Sequence, residues 1–208
     1  MEKIFSDRLV MSPISEDDWP LFHTLHTDSE VISLCYDEPT LLEIQSKFRS
    51  RLEPWTPDSS HWYCLVVSEL ETGIKVGITG YCIQNGTAEV GFMFLPSFHG
   101  RGYGTESLRA LVEYSRKQFC LNSFSAVVTE GNLGSEKVLI KSGFTLHSVI
   151  PDAYGIGGQM YADHIHNGKY CYITNGSRGT ANAWHFYYAL VFVVTMSCGS
   201  LVVALSAP

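Results

Sequence analysis

Three strand-like runs stand back to back at the centre of this chain: HWYCLVVSEL (61–70), GIKVGITGYCIQ (73–84) and TAEVGFMFL (87–95). Glu71-Thr72-Gly73 and Asn85-Gly86 separate them, connections too short for a crossover helix, so the runs form an antiparallel meander. Asn-Gly is the strong hairpin signal, because a two-residue turn of the twist-matched kind needs positive φ at both positions. After residue 95 the pattern changes. A helix is expected over 104–119, with Leu108, Leu111, Val112, Ser115 and Phe119 on one face. Residues 123–128 (SFSAVV) read as a short buried strand, and 133–141 as a helix closed by Gly143 at the C′ position. FTLHSVI (144–150) and a strand within 157–166 follow. Upstream, DRLVMSPI (7–14) reads as an opening strand, and Ser15 with Asp18 as a capping box for a helix to about His26. A helix over 41–55 is stopped by Pro54 and Pro57. The fold class is α+β: a mostly antiparallel central sheet flanked by helices.

Composition narrows the partners. Of 208 residues, 45% are apolar and 17% charged, enough to build a core and too few charges for a disordered chain. There are 14 Lys and Arg against 21 Asp and Glu, a net charge of −7. Gripping a phosphate backbone needs a basic face, so nucleic acid is excluded as the main ligand, and a cationic or neutral small partner is favoured. The six cysteines are scattered without C-x-x-C or metal-type spacing. The N-terminus, MEKIFSDRLVM, has no apolar h-region. A cytoplasmic protein with reduced thiols is expected.

Residues 1–166 read as one mixed domain and 167–208 as an atypical apolar extension. No charged side chain follows Arg178, and 17 of the 23 residues in 184–206 are apolar. That length could span a bilayer. Thr195, Ser197, Gly199 and Ser200 interrupt it, however, and no basic flank lies beyond Lys169 and Arg178. An added element on the domain, a homodimer interface or a disordered tail is the commoner outcome. GTANAWHF (179–186) and the terminal ALSAP resemble the translated repeat of a bacterial integron cassette recombination site, which would make the tail a read-through segment.

The chemistry concentrates in His99-Gly100-Arg101-Gly102-Tyr103-Gly104-Thr105, between a strand and a helix. Glycines there let the backbone approach an oxyanion, and the unpaired N–H groups of a first helical turn point at it. A Walker loop is excluded, since no Gly-Lys-Ser/Thr follows. A dinucleotide fingerprint is excluded too, because the preceding sheet is an antiparallel meander.

The order AEVGFMFLPSFHGRGYGTESLRALVEYS…LNSFSAVVTEGNLGSEKVLIKSGF resembles the GNAT acyl-CoA N-acyltransferases, in particular the branch holding ribosomal-protein N-terminal acetyltransferases. The resemblance covers about residues 7–166. It rests on His99-x-x-Gly102-x-Gly104, where the family usually has Gln or Arg first, and on Asn132, Ser135 and Gly143-Phe144. It implies acetyl-CoA as co-substrate and no metal. Backbone groups of Phe94 and Leu95 would pair with the pantetheine arm. Amides from Gly100 to Thr105, including those of Tyr103 and Gly104, would hold the pyrophosphate, with Arg101 as a nearby cation. Asn132 would bond a pantetheine amide, and Ser135 would lie near the thioester sulfur.

An amine must lose a proton before it attacks a thioester, since a lysine-like amine has a pKa near ~10.4. Glu89, where the family often carries an acid, is the candidate base. A solvated strand glutamate is the equal alternative. Many relatives protonate the leaving thiolate from a Tyr that is here Leu139; Ser135, one i, i+4 step earlier, or a water could serve instead. Cys120 at a helix end reads as core or cap. His23 and His26, one turn apart, read as a surface pair, and His164 and His166 as ordinary strand residues, with no metal expected. Tyr154, Tyr161 and Asp163 could line the acceptor cleft by analogy. The leading expectation is an N-acetyltransferase acting on a primary amine: a protein N-terminus, or a small amine such as an aminoglycoside or polyamine. A non-catalytic acyl-CoA-binding module and a tail-anchored protein are the alternatives.

Overall fold

A computed structural model of the chain describes residues 2–170. The proposed membrane span and the cassette-like segment lie outside the described residues. Among the described residues eight strands form one sheet: β1 (Ile4–Phe5), β2 (Leu9–Pro13), β3 (Tyr63–Glu69), β4 (Lys75–Gln84), β5 (Thr87–Phe94), β6 (Ser123–Thr129), β7 (Thr145–Ile156) and β8 (Gln159–Lys169). The helices are α1 (Trp19–Thr27), α2 (Ser29–Ile32), α3 (Leu41–Leu52), α4 (Tyr103–Phe119) and α5 (Leu133–Lys141). Spatial order is β1-β2-β3-β4-β5-β6-β8-β7. All neighbours are antiparallel except β5 and β6.

Local chemistry accounts for the boundaries. The β4–β5 hairpin turns on Asn85 (φ 50°) and Gly86 (φ 75°), both left-handed as the Asn-Gly pair demands. Ser15 and Asp18 form the expected capping box, although the first turn, Glu16–Asp18, is 3-10 and α1 begins after it. Thr40 and Glu43 form a second capping box at α3. Cys120 caps the C-terminus of α4 with φ 56° and is exposed.

Two apolar layers sandwich the sheet. On one side Leu108, Leu111 and Val112 of α4, with Leu139 of α5, pack on Val90, Phe94, Phe124, Ala126 and Val128. On the other, Phe22 and Leu25 of α1 and Ile44 and Phe48 of α3 cover Cys64, Val66 and Ile78. His26 is a correction to the surface pair. It is 7% exposed, its Nδ1 lies 2.7 Å from the Phe22 carbonyl, and its ring stacks on Phe22. Burial pushes its pKa down to about 4. The third-turn position of an amphipathic helix placed it inward.

β8 runs on to Lys169, and Tyr170 beyond it sits edge-on to Phe124 and Phe144, its hydroxyl donating to the Ser142 carbonyl at 2.8 Å.

Candidate active site

The parallel contact of β5 with β6 is short. Ala88 faces Phe124 and Glu89 faces Ser125, and no further pair follows. Beyond it β5 stays with β4 and β6 stays with β8. The sheet therefore opens into a gap. A cavity of about 370 Å³ occupies it, with Val90, Gly91 and Phe92 on one wall and Ala126 to Thr129 on the other. Asn132, Ser135 and Leu139 of the α5 region line it, as do Leu34, Cys35, Tyr154 and Asp163.

The open edge of β5 follows from its register. Leu95 N–H donates to the Val76 carbonyl at 3.0 Å, and in an antiparallel ladder alternate residues direct their polar groups to one side. Phe92 and Phe94 therefore present their backbone groups to the gap, whereas Leu95 directs its N–H to β4. The expectation that both Phe94 and Leu95 offer free edges is corrected for Leu95. The Phe94 carbonyl is partly engaged: His99 Nε2 lies 2.9 Å from it.

At the end of β5 a single 3-10 turn (Pro96–Phe98) leads into the glycine loop. Gly100 (φ 75°) and Gly102 (φ 81°) both take the left-handed conformation, which costs a residue with a Cβ ~1–2 kcal/mol. Gly102 is the N-cap of α4 and carries no side-chain cap. The first main-chain bond of the helix runs from Glu106 N–H to Gly102 at 3.0 Å. The amides of Tyr103, Gly104 and Thr105 precede it and add their polarity to the positive end of a 17-residue helix. Gly104 has a packing reason. A Cβ there would meet Val138 Cγ2 at 3.0 Å and Phe94 Cε2 at 3.7 Å, so glycine lets α4 lie close to α5 and β5.

Side chains brace the loop from behind. Tyr103 Oη donates to Glu69 Oε1 at 2.7 Å, and Thr72 Oγ1 donates to Glu69 Oε2 at 2.7 Å. These two bonds hold the Glu69 carboxyl below its usual range, with Arg101 adding to the effect. Arg101 Nη1 lies 3.8 Å from Glu69, and its guanidinium lies over the Phe98 ring at 4.8 Å. Arg101 therefore lies beside the loop. Glu106, in the first turn of α4, is matched by Arg8 at 2.6 Å and Ser6 Oγ at 2.8 Å, so its charge does not oppose an anion there.

These residues fit a pyrophosphate: helix-end amides unengaged among the described residues, glycines at the close approach, and a guanidinium alongside.

Asn132 caps α5, its Oδ1 accepting from Ser135 N–H at 3.1 Å, which orients the first turn of α5 at the cavity wall. Leu139, fully buried, stands one helical turn past Ser135 on the same face. Glu89 is not in the cavity lining. It sits at the closed end of the gap, and two residues before Gly91, its side chain shares the α1–α3 face with its partner Cys82. Among the described residues its carboxylate makes no hydrogen bond or ion pair.

The histidines behave as strand residues. His164 Nδ1 lies 2.6 Å from Glu136 Oε1 of α5, and His166 is buried. Among the described residues no group of acids, histidines and cysteines could hold a metal ion, and no helix is long and apolar enough to cross a membrane. Leu34 and Cys35 are cavity residues that sequence reasoning missed; they follow α2, a four-residue helix whose only signal is the cap Asp28, accepting from Glu30 N–H.

The family of acetyltransferase (GNAT) domains matches residues 8–145, a span that includes the open gap, the glycine loop and the Asn132–Ser135 turn. This chain belongs to the GNAT acetyltransferase family. The uncharacterized N-acetyltransferase YnaD of Bacillus subtilis (strain 168) is 33% identical over 163 residues, 78% of this chain and 94% of that protein. A second protein of that organism, the probable N-acetyltransferase YjcK, is 33% identical over 78 residues, 38% of this chain and 42% of that protein. Among solved structures, a ribosomal L7/L12 alpha-N-protein acetyltransferase in complex with coenzyme A superposes with a TM-score of 0.68 at 18% identity, covering 81% of this chain and 98% of that one. Spermidine N-acetyltransferase from Vibrio cholerae, in complex with CoA and spermine, gives 0.64 at 17%, covering 76% and 94%. The GNAT fold, with its mostly antiparallel sheet, is thus shared with enzymes of different acceptors.

Proposed function

We propose that this GNAT protein is an acetyl-CoA-dependent N-acetyltransferase that transfers the acetyl group to a primary amine by direct attack, with both substrates bound together. One observation carries the reading. The amides of Tyr103 to Thr105, unengaged among the described residues, and the open edge of β5 meet at the same end of the sheet, so a phosphate-bearing chain held at the helix would lie along the strand edge.

Phe92 and Phe94 offer main-chain groups to the pantetheine amides, as an added strand would. Gly100 to Thr105 cradle the pyrophosphate, and Arg101, beside Glu69, supplies a cation. Asn132 has an amide nitrogen left over from capping and is placed for a pantetheine carbonyl. Glu89 accepts the amine proton, directly or through one water, from the acceptor side of the sheet. The amine nitrogen then bonds to the thioester carbon, the C–S bond breaks, and the thiolate takes a proton from Ser135 or a water. Ser135 is favoured by its place in the cavity wall, and by Leu139 standing where a tyrosine would otherwise act.

Leu139 also keeps a second reading in view, a GNAT-fold module that binds acyl-CoA without turnover. Calorimetry with acetyl-CoA and the Gly102→Glu variant tests the loop: binding in the wild type and none in the variant is expected. Acetyl-CoA binding at wild-type affinity in Gly102→Glu contradicts the loop assignment.

A further inference from the structure

Among the described residues Asp163 is the one carboxylate in the cavity lining. It stands on β8 opposite Thr129 of β6. Its neighbour His164 points to α5, where it meets Glu136, so the alternation of a strand sends the Asp163 side chain to the opposite face, the one carrying α1 and α3. On that face Tyr154 and Cys35 join it in the lining. The segment bearing Cys35 is held over the β7–β8 hairpin by Asp37, whose Oδ1 accepts from Gly157 N–H at 2.7 Å.

Among the described residues no lysine or arginine lines this cavity, and the Asp163 carboxylate makes no hydrogen bond or ion pair. The adjacent Tyr154 feels the same imbalance: burial first, then Asp37, Cys35 and Asp163 hold its phenol above the ordinary value, with no cation opposing them. A half-buried carboxylate in a largely apolar cavity gains most from a cation brought by the ligand.

Resting on the acetyl-transfer reading, we infer that Asp163 selects the acceptor by holding an ammonium group other than the attacking nitrogen. An ion pair with a carboxylate favours the protonated form of an amine, and a protonated nitrogen has no lone pair to attack with. The nitrogen served by Glu89 and the nitrogen held by Asp163 are therefore different atoms. The acceptor class this fits is the aliphatic diamine or polyamine.

The test compares putrescine with its amino-alcohol analogue, in which a hydroxyl replaces one amine; both offer the same attacking nitrogen on a chain of the same length. The wild type is expected to favour putrescine in kcat/KM by about tenfold or more, the range of a charge-assisted hydrogen bond. In Asp163→Asn that ratio falls towards one, and Asp163→Glu restores part of it, with acetyl-CoA affinity reporting that each variant is folded. A wild type without preference, or a preference that survives in Asp163→Asn, overturns the inference. Calorimetry of putrescine with the CoA-loaded protein separates this failure from that of the parent reading. If no amine is acetylated yet putrescine binds and Asp163→Asn abolishes the binding, the cation site stands and the transfer reading falls. Absence of putrescine binding to the wild type overturns the site itself.

Discussion

His99 Nε2 lies 2.9 Å from the main-chain oxygen of Phe94, five residues back. A carbonyl only accepts, so this nitrogen carries the proton. The contact ties the start of the glycine loop to the end of β5, so that the helix amides and the open strand edge hold a fixed relation to each other. His99 acts on its own chain, whatever further contact it makes with a ligand.

His99→Ala is expected to weaken acetyl-CoA binding about tenfold, the value of a hydrogen bond that orders a binding loop. His99→Gln, whose amide also donates, should recover most of it. Equal affinity in all three proteins, measured by calorimetry, contradicts the anchoring role.

Gly104→Val places bulk against Val138 and Phe94. Overpacking of this kind costs ~1–3 kcal/mol, and here it also pushes α4 away from β5. The expected result is a lower urea midpoint together with loss of acetyl-CoA binding. An unchanged midpoint contradicts the close approach of α4 to α5.

Glu89→Gln is expected to lower kcat by about a hundredfold or more, within the range of general base catalysis, with acetyl-CoA affinity little changed. The pH optimum should move upward, because the amine must then lose its proton to solvent. A pH–rate profile identical to that of the wild type removes Glu89 from the proton transfer.

Much of this arrangement is legible in the sequence, and the exceptions have physical causes. Asn85-Gly86 announces its turn because few residues accept two successive positive φ values. Ser15 and Asp18 announce a helix start because both the side-chain and main-chain partners lie within four residues. β1, two residues long, and α2, four residues long, carry no periodicity. The pairing of β6 with β8, from Ser123↔Lys169 to Thr129↔Asp163, joins residues about forty positions apart, and no local pattern encodes it. The direction of Leu95 depends on which partner β5 meets. Glu89 and Asp163 are visible as acids, but only the sheet places one at the closed end of the gap and the other on its wall.

His26 links burial to stability. Its folded pKa of about 4 lies below the ordinary histidine value of about 6.5, chiefly because burial disfavours the charged ring. The unfolded chain therefore binds the proton first, and stability present above pH ~6.5 is lost as the pH falls toward 4. Between pH 7.5 and 5 the loss is ~2 kcal/mol, about 1 M in the urea midpoint. His26→Phe, which keeps the ring contact with Phe22, should flatten this dependence. A variant with the wild-type slope shows that another group carries it.

The most direct test of the central claim is release of free thiol from acetyl-CoA with and without a primary amine. Release is expected to require both the amine and an intact glycine loop, so that Gly102→Glu is silent. Thiol release that continues unchanged in Gly102→Glu, or none with any amine while acetyl-CoA binds the wild type, contradicts it.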